Sequence, residues 1–266
     1  MSEQMSIFLK DSNFIISCAA RTGSTMLVYM LRSNPEIICH GEVFNYRSIG
    51  GMVGTYNLLR KSVEHDKALL DLYRSDPRTF LYKIVFDSQE KRIAGFKIKT
   101  DEIFRWPYRH LRSALRNDTD IKVVHLYRAN LIDQFISLKV VNDQTGVTLI
   151  HSEEKRPNVR PFNANVREFQ TFLKNVLRRE QKSLDLYSGH RSFSISYEEA
   201  VSADAGALNN MQQFLGVTPK PLETTTLKIL NQPTSEILLN YQEIKDIYQE
   251  SNAQRPIKLR ADELQN

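Results

Sequence analysis

Apolar and polar positions along the chain switch repeatedly between the two-residue period of a strand and the longer period of a helix. Residues 13–19 (NFIISCA) form a short apolar run ending in small side chains, which predicts a buried strand. A polar turn with one glycine follows at 21–25, and 25–32 (TMLVYMLR) predicts a helix stopped near Asn34 and Pro35. A second apolar run at 36–44 ends in a polar, glycine-containing turn. Residues 52–73 are mixed and helical in their second half, and 78–89 read as a further helix. Residues 92–99 (RIAGFKIK) alternate as a strand, 107–116 form a short basic helix opened by a proline, 121–127 (IKVVHLY) is a strong strand, and 131–141 is a helix. Between 166 and 187 the residues Phe169, Leu173, Val176, Leu184 and Tyr187 recur at helical spacing, which predicts a long amphipathic helix. A last strand is expected at 191–196, with helices at 205–215 and 234–250.

Strands alternating with helices predict an α/β fold: a P-loop-like three-layer sandwich with a central parallel sheet of about five strands and helices on both faces. The 266 residues are read as a single domain, 1–266, with a flexible N-terminus at 1–12. The polar stretch 142–165, with Pro157 and Pro161 and no clear period, is a candidate mobile substrate loop. Ligands on such sheets sit at the carboxyl ends of the strands. Arg21, Glu42 and Arg128 all follow expected strands and are expected to meet there.

The net charge of +5 suits an anionic ligand, a nucleic acid or an anionic membrane surface without choosing among them. The Lys and Arg residues are scattered, with no basic tail of the kind that binds nucleic acid, so no nucleic-acid partner is expected. The two cysteines, Cys18 and Cys39, lie in apolar runs and have neither disulfide-framework nor metal spacing. With no basic leader followed by an apolar segment, and no stretch long enough to span a bilayer, a cytoplasmic protein is expected, peripheral membrane contact being left open.

The nucleotide-triphosphatase pattern GxxxxGK[ST] fails here. Cys18 stands at its first glycine and Ser24 at its lysine, and the 121–127 strand ends in Arg128 rather than a metal-holding aspartate. The remaining residues still suit an oxyanion. Gly23 allows close backbone approach, Ser24 and Thr25 open a helix, and Arg21 offers a charged fork of donors. The segment AARTGSTML resembles the 5′-phosphosulfate loop of sulfotransferases that use 3′-phosphoadenosine 5′-phosphosulfate (PAPS). The longer stretch from FIISCAARTGSTML to HGEVF resembles the opening of bacterial carbohydrate sulfotransferases of the nodulation-factor and trehalose type.

That resemblance implies roles. Arg21, Thr22, Gly23, Ser24 and Thr25 would hold the 5′-phosphosulfate, with Arg21 neutralising charge on the bridging oxygen as the S–O bond breaks. YRANLIDQFISL resembles the family's 3′-phosphate motif, which implies Arg128 and Ser137 as ligands, although the family places its arginine where Ala129 stands. Asn130, Gln134 and Ser137 share one helical face. An acceptor hydroxyl needs a base, and His40-Gly41-Glu42 supplies two. The bacterial relatives imply Glu42, with His40 in reserve. Tyr197, in a segment matching the family's last strand, lies near the nucleotide or packs beneath it, and Lys97 either enters the cleft or faces solvent.

The expected activity is transfer of a sulfuryl group from PAPS to a hydroxyl of a carbohydrate, glycolipid or related small acceptor, with no metal required, releasing adenosine 3′,5′-bisphosphate. The rivals are a P-loop-like small-molecule kinase and an inactive nucleotide- or polyanion-binding protein.

Overall fold

A computed structural model describes residues 13–45, 48–49, 51–54, 63–202, 204–251 and 255–257. Five parallel strands, β1 (Asn13–Cys18), β2 (Ile37–Glu42), β5 (Ile93–Lys99), β6 (Lys122–Tyr127) and β7 (Ser192–Ser196), form one sheet in the order β2-β5-β1-β6-β7. The two-residue strands β3 (Phe44–Asn45) and β4 (Ser48–Ile49) pair separately. The apolar runs of the sequence are these strands, hydrophobic on both faces because helices cover both.

One face carries Phe14, Ile16, Leu126 and Ile195 against α1 (Ser24–Ser33) and α9 (Gly206–Leu215). The other carries Ile15, Phe96, Ile98 and Val123 against α2 (Val63–Ser75), α3 (Pro77–Phe80) and α5 (Arg109–Asn117). A third cluster joins α6 (Leu131–Lys139), the long α7 (Val166–Leu186) and α11 (Tyr241–Glu250). Each fully buried Leu, Ile or Phe contributes about 1.5–3 kcal/mol. The central strands, buried almost throughout, are therefore the rigid base on which the loops at their carboxyl ends are built.

Several elements differ from the sequence reading. The helix expected at 78–89 is the single turn α3 followed by a π-helical turn, Leu81–Val85, that ends at Phe86. The expected helix 131–141 gives way after Lys139 to a π-helical turn, Val140–Thr145, closed by Gly146 at φ 65. The expected helix 234–250 is broken into α10 (Thr234–Ile237) and α11. At the break the Asn240 side chain receives the Ala164 N–H at 2.8 Å and donates to the Ala164 carbonyl at 3.0 Å. Two short helices, α4 (Thr100–Ile103) after β5 and α8 (Tyr197–Ala200) after β7, have too few residues to show a period. The expected flexible segment 1–12 lies outside the described residues, as do residues 55–62 of the mixed stretch 52–73, whose second half, expected to be helical, lies in α2. Within 142–165, Ile150 bridges to Leu227 and Phe162 to Leu238. Among the described residues no helix is long and apolar enough to cross a membrane.

Candidate functional site

The loop between β1 and α1 is shaped by its backbone. Arg21 and Gly23 both take the left-handed conformation, at φ 63 and φ 77. Thr22 is buried and its hydroxyl donates to the Ala19 carbonyl at 3.0 Å, tightening the turn. Gly23 is required twice over: its φ disfavours any side chain, and a Cβ there would overlap the Tyr197 ring. No side chain caps α1, so the N–H groups at Ser24 and Thr25 face outward at the positive end of a helix. Gly23→Ala is expected to cost at least about 1 kcal/mol, because the new methyl meets both a disfavoured φ and the tyrosine. Chemical denaturation measures this, and an unchanged midpoint contradicts the packing.

Residues of α6 grip this loop. Arg21 Nε donates to Ser137 Oγ at 3.0 Å, and Arg21 Nη1 donates to the Thr148 carbonyl at 3.2 Å. Gln134 Nε2 donates to the Ala20 carbonyl at 2.7 Å. Asn130 instead caps α6, its side chain receiving the Ile132 and Asp133 N–H groups at 3.1 Å each.

Arg128, buried at the end of β6, lies over the Tyr197 ring at 4.8 Å and donates to the Arg21 carbonyl at 3.5 Å. Asp133 at 3.4 Å and Glu198 at 3.9 Å flank its guanidinium. The Arg21 pKa is pushed down by burial and by the charge of Arg128. Two guanidinium groups held together at a helix N-terminus favour an anion between them. Arg21, Gly23, Ser24, Thr25, Arg128, Ser137 and Tyr197 line one cleft of about 130 Å³, with Thr148, Leu149 and residues 226–230 over it. The Ile150–Leu227 bridge joins the two covering segments.

Glu42 and His40 part company through a bulge. In the β2–β5 ladder His40 pairs with Phe96, but Glu42 pairs with Lys97, and Gly41 is the extra residue. Without the bulge, residues two apart would share a face. With it, Glu42 turns to the α1 side while His40 faces the opposite core. The Glu42 carboxylate receives Lys97 Nζ at 2.8 Å on Oε1 and Lys99 Nζ at 2.7 Å on Oε2. Burial raises the Glu42 pKa, but the charges and hydrogen bonds of the two lysines outweigh it, and the net value lies below the ordinary 4.5. His40 is 0% exposed and its Nδ1 accepts the Val53 N–H at 3.1 Å. Burial, helped by the charge of Arg32, holds its pKa down to about 4.

The residues expected from sequence that meet in this cleft are Arg21, Gly23, Ser24, Thr25, Arg128, Ser137 and Tyr197, with Glu42 reached through Lys97. Thr22 is placed under the loop and His40 in the core. Lys97, left undecided from sequence, is 5% exposed and its Nζ donates to Thr25 Oγ1 at 3.1 Å, so one ammonium touches both the loop helix and Glu42. Lys99 was missed. The signal was present in RIAGFKIK, where lysines two apart on a strand share a face. Arg255, which donates to the Arg128 carbonyl, had no local signal at all.

The solved structures that resemble this chain include three sulfotransferases. A sulfotransferase from Alicyclobacillus acidocaldarius matches at 16% identity over 95% of each chain, with a TM-score of 0.49. The sulfotransferase domain from the curacin biosynthetic pathway matches at 14% identity over 92% of each chain, with a TM-score of 0.49. The mouse sulfotransferase SULT7A1 complexed with PAP matches at 13% identity over 94% of this chain and 70% of its own, with a TM-score of 0.40. No protein-family model matches the chain, and no curated protein matches it in sequence.

Chemically, the site pairs an oxyanion cradle with a carboxylate. Two guanidinium groups, hydroxyls and helix N–H groups face the cleft, and Glu42 stands across Lys97 from them. Among the described residues no group of three or more His, Cys, Asp or Glu side chains is placed to hold a metal ion.

Proposed function

We propose that this protein transfers a sulfuryl group from PAPS to a hydroxyl of a carbohydrate or related small acceptor. The observation that carries the reading is the Lys97 bridge: Nζ lies 3.1 Å from Thr25 Oγ1 and 2.8 Å from Glu42 Oε1. It sets a carboxylate base beside an anion-binding loop that lacks the lysine of an ATP-hydrolysing P-loop. The donor set fits the co-substrate, since PAPS carries anionic groups on its 3′ and 5′ oxygens and two cations, Arg21 and Arg128, line the cleft.

In this scheme the acceptor oxygen attacks sulfur, an O–S bond forms, and the S–O bond to the 5′-phosphate breaks with its electron pair left on the phosphate oxygen. Arg21, Lys97 and the α1 N–H groups stabilise that oxygen as its charge grows. Glu42 takes the acceptor proton on a lone pair that the lysines do not use. Glu42 is preferred to His40, whose ring has no open face toward the cleft. Arg128 and Ser137 hold the 3′-phosphate. A cleft of about 130 Å³ is smaller than the ~300–1,000 Å³ of ordinary ligand pockets, so nucleotide entry in this reading widens it.

Ser137→Ala tests the donor assignment. Losing a hydrogen bond to a charged group should weaken adenosine 3′,5′-bisphosphate binding by about 1–2 kcal/mol. Calorimetric titration reads this directly, and an unchanged affinity moves the 3′-phosphate elsewhere.

A further inference from the structure

We infer that Arg255 is a positioning residue for the turn 128–130, and through it for the 3′-phosphate subsite; the inference rests on the PAPS reading above. The sheet ladder stops short of this turn, since the last β6–β7 pair is Tyr127 with Ser196. Beyond that pair the backbone path is set by side chains. On one side the Glu198 carboxylate accepts the N–H groups of Ala129 at 2.8 Å and Asn130 at 3.1 Å. On the other, Arg255 Nη1 donates to the Arg128 carbonyl and, at 3.4 Å, to the Ala129 carbonyl. The turn is strung between a carboxylate and a guanidinium, and Arg128 hangs its side chain into the cleft from the residue they hold.

Arg255 is itself fixed. Its Nη2 donates to Glu180 Oε1, its Nε to Glu180 Oε2 at 3.4 Å, and its guanidinium lies over the Tyr127 ring at 5.0 Å. Glu180 projects from α7, which Phe169, Val176 and Leu184 hold in the core. Both charged side chains are buried. Ile257, two residues on, lines a small inner cavity with Cys18, Ala19 and Thr22, behind the Arg21 loop. One short segment near the end of the chain therefore backs both halves of the candidate nucleotide site. A planar guanidinium can span a carboxylate and two carbonyls at once, whereas an ammonium is a point donor.

The test titrates adenosine 3′,5′-bisphosphate and adenosine 5′-monophosphate calorimetrically into the full chain, wild type and variants, alongside thermal unfolding. Arg255→Met alone leaves Glu180 buried without its partner and should lower the unfolding midpoint. The double variant Arg255→Met with Glu180→Met removes both charges in apolar side chains of similar length, and such exchanges are often neutral for stability. It still lacks the donors to the Arg128 and Ala129 carbonyls. The expected result is a double variant with a wild-type midpoint, bisphosphate affinity reduced about 10-fold, and 5′-monophosphate affinity little changed. Arg255→Lys, which keeps a charge beside Glu180, should also lose bisphosphate affinity selectively. Wild-type bisphosphate affinity in either folded variant overturns the positioning role. Equal affinities of the wild-type protein for the two nucleotides overturn the 3′-phosphate subsite, and the inference with it.

Discussion

Arg21→Ala is expected to lower the proposed sulfuryl transfer about 10²–10³-fold, the usual loss when one preorganised charge stabiliser is removed, and to leave the protein folded. The fold should tolerate the change because Arg21 makes few contacts that others depend on. It donates to the buried Ser137 Oγ and, at an exposed contact that water can replace, to the Thr148 carbonyl. Its removal also relieves the repulsion from Arg128 that depresses the Arg21 pKa alongside burial. The positive φ of 63 is no worse for alanine than for arginine, since both carry a Cβ. Single-turnover rates and thermal midpoints separate the two effects. A near-normal rate removes Arg21 from the chemistry.

Glu42→Gln should reduce transfer by about 10²–10⁴-fold, the range for a lost general base, with nucleotide affinity preserved. Glutamine keeps the shape but cannot take the acceptor proton. Wild-type activity in this variant would return the base to another group. The wild-type pH profile carries a second expectation. Because Lys97 and Lys99 hold the Glu42 pKa below its ordinary 4.5, the carboxylate persists to lower pH, and the acid limb of the rate should fall below 4.5. In Lys97→Met the raising effect of burial meets less opposition, so that limb should move to higher pH. An acid limb that stays in place means that Glu42 is not the titrating base.

The parts of this site that could be read from sequence are those carried by local pattern. Apolar runs broken by small-residue turns located four of the five parallel strands closely, and β2 within a longer apolar run. Strand ends then located Arg21 and Arg128. The spacing of Asn130, Gln134 and Ser137 put the three on one helical face, but only the folded chain shows Gln134 and Ser137 meeting the Arg21 loop while Asn130 caps α6. Other features depend on pairing between distant segments. His40-Gly41-Glu42 reads as two bases side by side, and only the slip between β2 and β5 at Gly41 sends them to opposite faces. Lys97 and Lys99 look like ordinary strand lysines until that same slip sets Glu42 opposite them. The break at Asn240 comes with a tertiary contact to Ala164 that no local period records. Arg255 lies 127 residues from the carbonyl it holds, in a segment with no period of its own.

The proposed activity turns on the identity of the donor. Purified protein is incubated with sulfur-labelled PAPS, or separately with γ-phosphorus-labelled ATP, and a panel of hydroxyl-bearing saccharides and glycolipids. The expected result is labelled sulfur in an acceptor, with stoichiometric release of adenosine 3′,5′-bisphosphate, and no transfer from ATP. Labelled phosphorus in an acceptor, or tight bisphosphate binding with no transfer of sulfur to any acceptor, would contradict it.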